Sequence, residues 1–214
     1  TQDNFQYSGL FGYVTGTITN LAVDGNISTS NSNVGMLAGY ATAKATIKNC
    51  YTTGSIEANQ NVGGLVGYTY SSQTKTPVTI ENCYSKVTVT GLKAGTSDYL
   101  GGLVGRDHSV TTYNGDVGTV IKCCYATGSI FSENSSAKNV GGAFGGLTGK
   151  SAEITACYYD QSSSGMSDTG KGIPLSTSEM KTQGTFVIWD FDTVWAISST
   201  VNNGYHYLQA LTPA

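Results

Sequence analysis

The stretch that decides the fold reads VGGLVGY at Val62–Tyr68 and, eleven residues on, TIENCYS at Thr79–Ser85. Both halves recur. The glycine half returns as YSGLFG (7–12), VGMLAG (34–39), LGGLVG (100–105) and VGGAFG (140–145). The second half returns as TITNLAVDGNI (17–27), TIKNCYTTGSI (46–56), VIKCCYATGSI (120–130) and EITACYYD (153–160). Ile18 to Leu21, Ile47 to Cys50, Ile80 to Cys83, Ile121 to Cys124 and Ile154 to Cys157 are all three apart. The next apolar residue keeps register too, at Ile27, Ile56, Val89 and Ile130. Only the polar stretches flanking the glycine motif change length, as loops do on an otherwise fixed repeating coil.

Within each repeat the apolar residues alternate rather than recur every three or four, which is strand periodicity. Each repeat offers three short strand-prone runs, here VGGLVG, VTIENC and YATGSI, none long enough to bury a face alone. Stacked as parallel coils, each run pairs with its own copy about 4.8 Å away and like side chains form interior ladders. The expected fold is all-β, a right-handed parallel β-helix or β-solenoid of about five coils over residues 1–160. The hand follows from the preference of parallel crossovers.

Three ladders are expected: Leu10, Leu37, Leu65 and Leu103 with Ala143; Ile18, Ile47, Ile80, Ile121 and Ile154; and Ile27, Ile56, Val89 and Ile130. Asn20, Asn49 and Asn82 fall where the chain must bend, and an Asn side chain suits such a corner. Cys123 and Ala156 interrupt that row, so the later corners are either built differently or place a thiol where an amide otherwise sits. Gly12, Gly39, Gly67, Gly105 and Gly145 mark a position of positive φ or of close approach between backbones.

Five cysteines suggest a disulfide framework or a metal site until they are placed in register. Cys50, Cys83, Cys124 and Cys157 occupy one repeat position, the one Leu21 fills in the first coil, and read as a buried row of small apolar side chains. No Cys-x-x-Cys occurs, and no metal or cofactor is expected. Tyr51, Tyr84, Tyr125 and Tyr158 follow those positions with opposite parity and are expected to form an external ladder. They are candidate ligand-binding residues, able to stack sugar rings or anchor a partner protein, or simply shield the sheet. The long stretches 68–77 and 106–116 are further candidates. Asp107–His108 reads as a solvated loop pair.

Composition narrows the function classes. In 214 residues only 12% are charged and 28 are glycine, with a net charge of −3. Eleven Lys and Arg spread thinly give no stripe that could neutralise a row of phosphates, so nucleic acid is not an expected partner. No apolar run reaches the roughly 20 residues of a membrane-spanning helix, so no membrane insertion is expected, and the first residues carry no leader pattern. Carboxylates scatter over unrelated repeat positions, so an enzyme is not expected.

The VGGLVGY and TIENCYS/TTGSI units resemble the GLUG motif, and residues 161–214, with GMSDTGKGIPLSTSEMKTQGTF, WDFDTVWAI and NNGYHYL, are similar to the segment that closes such repeats. The resemblance implies an extracellular β-solenoid of bacterial adhesin-like proteins, also found beside IgA-cleaving metallopeptidases, with no catalytic residues. It implies a secreted or cell-surface location, and host or cell-surface proteins or glycans as partners, alone or within a larger multidomain protein. Adhesion or ligand binding is the expected function, with a carbohydrate-binding accessory module of a secreted hydrolase or peptidase as the alternative. Residues 161–214 are expected to cap the fifth coil, with a short helix capped from Ser176 or Thr177 to Glu179. Trp189, Phe191, Val194, Trp195 and Ile197 are expected to plug the open core. Where that closing segment often reads NGYPYL, His206 is expected to matter only for local backbone freedom.

Overall fold

The computed structural model describes residues 7–42, 44–72, 76–92, 98–110, 118–148 and 152–213. The chain winds through four parallel sheets that repeat in the same order in each coil. The first sheet holds Phe11–Val14, Ala38–Thr42, Val66–Ser72, Val104–Val110 and Phe144–Leu147. The second holds Thr17–Thr19, Thr46–Lys48, Thr79–Glu81, Val120–Lys122 and Glu153–Thr155. The third is built on Ala22–Ser28, Tyr51–Ala58 and their copies, and the fourth on Ser32–Gly35, Gln60–Gly63, Tyr99–Gly101 and Asn139–Gly141. Every coil-to-coil pairing is parallel and in register, so that Ile18, Ile47, Ile80, Ile121 and Ile154 are direct neighbours in turn. This is an all-β parallel solenoid.

Four sheets appear where three strand-prone runs were expected, because VGGLVG is two strands and a corner rather than one strand. Gln60–Gly63 ends the fourth sheet, Leu65 turns inward at the corner, and Val66 opens the first sheet. The motif glycines explain how tightly that corner closes. Gly39, Gly67, Gly105 and Gly145 do not have positive φ. A Cβ on Gly105 would lie 2.5 Å from the backbone carbon of Asn61 and 2.6 Å from the oxygen of Gly67, so the two sheets meet backbone to backbone.

The corner after the second sheet is left-handed throughout: Asn20, Asn49, Asn82, Cys123 and Ala156 have φ of 53°, 51°, 52°, 52° and 49°. Asparagine tolerates this region, but Cys123 and Ala156 adopt it as well, because stacking on the coil before imposes it. The thiol takes the amide's place without a change of corner. A second asparagine row, Asn33 and Asn61, also has positive φ, and the Asn61 Nδ2 donates to Asn33 Oδ1 at 2.6 Å.

Two apolar clusters fill the bore. The larger joins Leu37, Leu65, Leu103 and Ala143 to the isoleucines and to Cys50, Cys83, Cys124 and Cys157. The smaller joins Ile56, Val89 and Ile130 to Val34, Val62 and Leu100. All five cysteines are buried free thiols. The four in register each donate S–H to the carbonyl two residues back, across the left-handed corner, as Cys83 does to Glu81 at 3.2 Å. Burial holds the Cys124 thiol well above its ordinary range. Leu10 departs from its ladder, being 57% exposed where Leu37 and Leu65 are buried, because no described strand lies beyond the first coil.

The C-terminal segment does two things. Ile173–Leu175 pairs with Tyr158–Asp160 and extends the third sheet by one rung. Tyr159 fills the bore there, its ring where a Cβ on Gly142 would otherwise stand. The remainder does not plug the end, as expected, but turns back along the outside of the third sheet. Ser176 caps the short helix Thr177–Met180 in a reciprocal box with Glu179, as read from the sequence. Trp189 and Trp195 then lie over the tyrosines of that sheet, with the Trp189 Nε1 donating to the Ala156 carbonyl at 3.2 Å.

Candidate ligand-binding face

The tyrosines expected on the outside are covered by the chain's own tail. Tyr51, Tyr84 and Tyr125 do stack, with ring centroids 4.7 and 4.9 Å apart. Yet Tyr84 and Tyr125 are fully buried and Tyr158 is 9% exposed, packed against Met180, Phe186, Trp189, Trp195 and Leu208. Period-two parity placed them outside the coil correctly, but outside the coil is not outside the protein. Tyr51 borders an open depression, shared with Asp24, Thr53, Lys86 and Pro213. As ligand-binding residues the other three are corrected to packing residues. Polar groups seal the seam: Tyr125 OH donates to the His206 carbonyl, Asn202 Nδ2 donates to Tyr125 OH at 2.9 Å, and Lys86 Nζ donates to Asn202 Oδ1 at 2.8 Å.

Asp160 anchors the same seam. It is fully buried, and its Oδ1 accepts from the backbone N–H of Ser162 and Ser163 while its Oδ2 accepts from Thr177 Oγ1 and Tyr205 OH. His206 is buried as well, packed against Phe186, Trp189 and Phe191. Its role is thus not confined to backbone freedom, and burial lowers its pKa to about 4.

The exposed aromatic face lies on the first sheet instead. The residue after each motif glycine points outward there, and those residues are Tyr13, Tyr40, Tyr68, Arg106 and Gly146, partners in register. Two residues on, a second row runs Thr42, Tyr70 and His108. The Tyr13 and Tyr40 rings stack at 5.1 Å and 8°, Tyr40 and Tyr68 lie 5.2 Å apart, and Tyr70 stacks on His108 at 5.8 Å and 6°. Tyr7 closes the N-terminal end of the stripe, 5.0 Å from Tyr40. Tyr13 is 56% exposed and Tyr7 37%. Burial first, then the crowding of Tyr68, Tyr13 and Tyr7, holds the Tyr40 phenol neutral far above its ordinary range.

Stacking has a consequence for recognition. Rings packed face to face present edges and hydroxyls to the outside, so the stripe offers a row of phenolic donors and acceptors flanked by apolar edges. The sequence carried the signal in the tyrosine that follows Gly12, Gly39 and Gly67. That row lies apart from the cysteine register, in the other half of the repeat. Asp107–His108 is not a solvated loop pair. It lies in the strand Val104–Val110, with Asp107 buried beneath Thr69 Oγ1 and Ser109, and with His108 Nδ1 3.0 Å from Thr148 Oγ1. The expected loops begin later than read, since strands run to Ser72 and Val110; residues 73–75 and 111–116 lie outside the described residues. Among the described residues no three His, Cys, Asp or Glu side chains converge as a metal site.

Parallel coils with glycine corners and an aromatic outer stripe define a repeat solenoid. The chain carries GLUG repeats: the GLUG motif matches residues 30–57 and 58–90. It is also 43% identical over 104 residues to a putative Gly-rich membrane protein of Evansella cellulosilytica. That match takes in 47% of this chain but only 11% of the relative. No solved structure matches the chain. Among the described residues no helix is long and apolar enough to cross a membrane.

Proposed function

We propose that this solenoid is a non-catalytic, adhesin-like binding module displayed on a bacterial cell surface or secreted, and that its first-sheet stripe is the face that meets the ligand. The observation that carries the reading is the outward column Tyr7, Tyr13, Tyr40 and Tyr68, exposed at Tyr7 and Tyr13 and half-buried from Tyr40 on, continued by the half-buried Tyr70 and His108. Exposed aromatic rows are costly unless something covers them, and interfaces favour tyrosine for its apolar body and polar tip. A surface location is supported by the motif and by the description of the relative as a membrane protein. The relative's much greater length supports a place within a larger multidomain protein. The accompanying partner is a surface glycan or protein of the host or of another cell.

A second reading, a carbohydrate-binding accessory module, is favoured by the regular hydroxyl row. A glycan array and a whole-cell binding assay with wild type beside Tyr40→Ser and Tyr84→Phe test both. Binding weakened by Tyr40→Ser but not by Tyr84→Phe supports the stripe. Equal binding by all three proteins overturns it. Glycan binding selects the second reading, and cell binding without glycan binding selects protein adhesion.

A further inference from the structure

In the fourth coil the stripe changes chemistry. Arg106, the sole arginine of the chain, occupies the register position of Tyr13, Tyr40 and Tyr68. Its guanidinium carbon lies 5.6 Å from the Tyr68 centroid and 4.6 Å from that of Tyr99, so the planar cation continues the column of rings. Gly146, next in the row, leaves the space that the Tyr99 ring enters: a Cβ there would lie 2.4 Å from Tyr99 Cδ1. The Arg106 Nε donates to Thr148 Oγ1 at 3.1 Å, and that same hydroxyl donates to the Asp107 carbonyl at 2.9 Å. The side chain is thereby held in plane and in orientation.

Among the described residues no ion pair uses this held side chain. The neighbouring carboxylate, Asp107, points into the bore and is engaged there by Thr69 and Ser109. Lys48 and Lys122 pair with Glu81 and Lys171 approaches Asp168, but among the described residues no carboxylate lies within ion-pair distance of Arg106. Its terminal Nη groups have no partner there either. A guanidinium fixed between rings with its fork free matches the bidentate geometry of a carboxylate. The side-chain entropy that such a contact normally costs has largely been spent within the fold.

We infer that Arg106, with Tyr68, Tyr70 and His108 beside it, is the acid-recognising end of the stripe, and that the ligand is a glycan bearing carboxylates, of the hexuronate or sialic acid type. The inference rests on the stripe as the binding face. Column steps of 5.1, 5.2 and 5.6 Å from Tyr13 to Arg106 resemble the length of one sugar unit in a linked chain, so a sugar can lie along the hydroxyls while its carboxylate meets the fork. Position matters more than charge, which separates this site from the exposed lysines.

The test uses calorimetric titration of trigalacturonate against its methyl ester, and of 3′-sialyllactose against lactose, with wild type, Arg106→Gln and Arg106→Lys. Wild type is expected to prefer at least one acid over its neutral counterpart by about tenfold, the span of one charge-assisted bidentate contact on a partly open surface. Arg106→Gln is expected to erase the preference for acid over neutral sugar, with a cooperative thermal melt showing that the variant stays folded. Arg106→Lys is expected to restore only part of it, since an ammonium lacks the fork. Equal binding of acid and neutral sugar by wild type, or a preference untouched by Arg106→Gln, overturns the inference but leaves the stripe standing. Stronger competition by inorganic phosphate than by free galacturonate overturns it in favour of a phosphate site. Failure of wild type to bind any of the four probes overturns it, and if Tyr40→Ser also leaves whole-cell binding unchanged, the stripe falls with it.

Discussion

A methyl group at position 67 has nowhere to go: its carbon would lie 2.4 Å from the backbone nitrogen of Val34 and 2.7 Å from the oxygen of Gly39. At Gly12, in the first coil, the nearest atom is 3.6 Å away. Gly67→Ala is therefore expected to cost at least about 1 to 3 kcal/mol, the range for forced overpacking, and Gly12→Ala close to nothing. Thermal melts of the two variants check this. His206 is the other residue whose environment sets a measurable sign. Its folded pKa, about 4, lies below its ordinary 6.5, so below pH 6.5 the unfolded chain takes up a proton that the folded one refuses. Stability is then lost as the pH falls from about 6.5 to about 4, by roughly 3 kcal/mol in full. Urea titrations at pH 7 and pH 4.5 should show that loss, and His206→Phe should remove its share. A thiol in the asparagine corner at Cys123 was legible only as one of two alternatives and the burial of His206 not at all, because a residue's own preference says little once its neighbours dictate the backbone or close over the side chain.

The strand ladders were the most legible feature, since identical spacing in successive repeats fixes which residues stack. Ile47, Ile80 and Ile121 are buried between two neighbours each, whereas Ile18 has a described coil on one side only and stays half-buried. Ile80→Ala is expected to cost about 2 to 5 kcal/mol and Ile18→Ala less than half of that, as read from denaturation midpoints. Less legible was the count of sheets. VGGLVG has the alternation of one strand, and only the Gly-Gly pair, which lets two sheets touch through their backbones, marks the corner inside it. The short helix at Thr177–Met180 was readable because Ser176 and Glu179 form a local device that needs no tertiary partner.

For the whole molecule, periodicity gave which residues leave the bore but not which of them are covered afterwards. Two rows of tyrosines leave it, one following the cysteines and one following the motif glycines, and only a partner can tell them apart. The C-terminal segment supplies that partner, with Trp189, Trp195, Phe186 and Met180 against Tyr84, Tyr125 and Tyr158, and so leaves the first-sheet row to the outside. Burying each of these large side chains contributes about 1.5 to 3 kcal/mol, so the tail is expected to unfold with the solenoid in one transition rather than to detach first. Tyrosine-selective nitration of the folded protein, read peptide by peptide in a mass spectrometer, tests the arrangement most directly. Tyr13 and Tyr7 are expected to be modified and Tyr84 and Tyr125 protected until the chain is denatured. Modification of Tyr84 and Tyr125 in the folded protein, with Tyr13 spared, would contradict it.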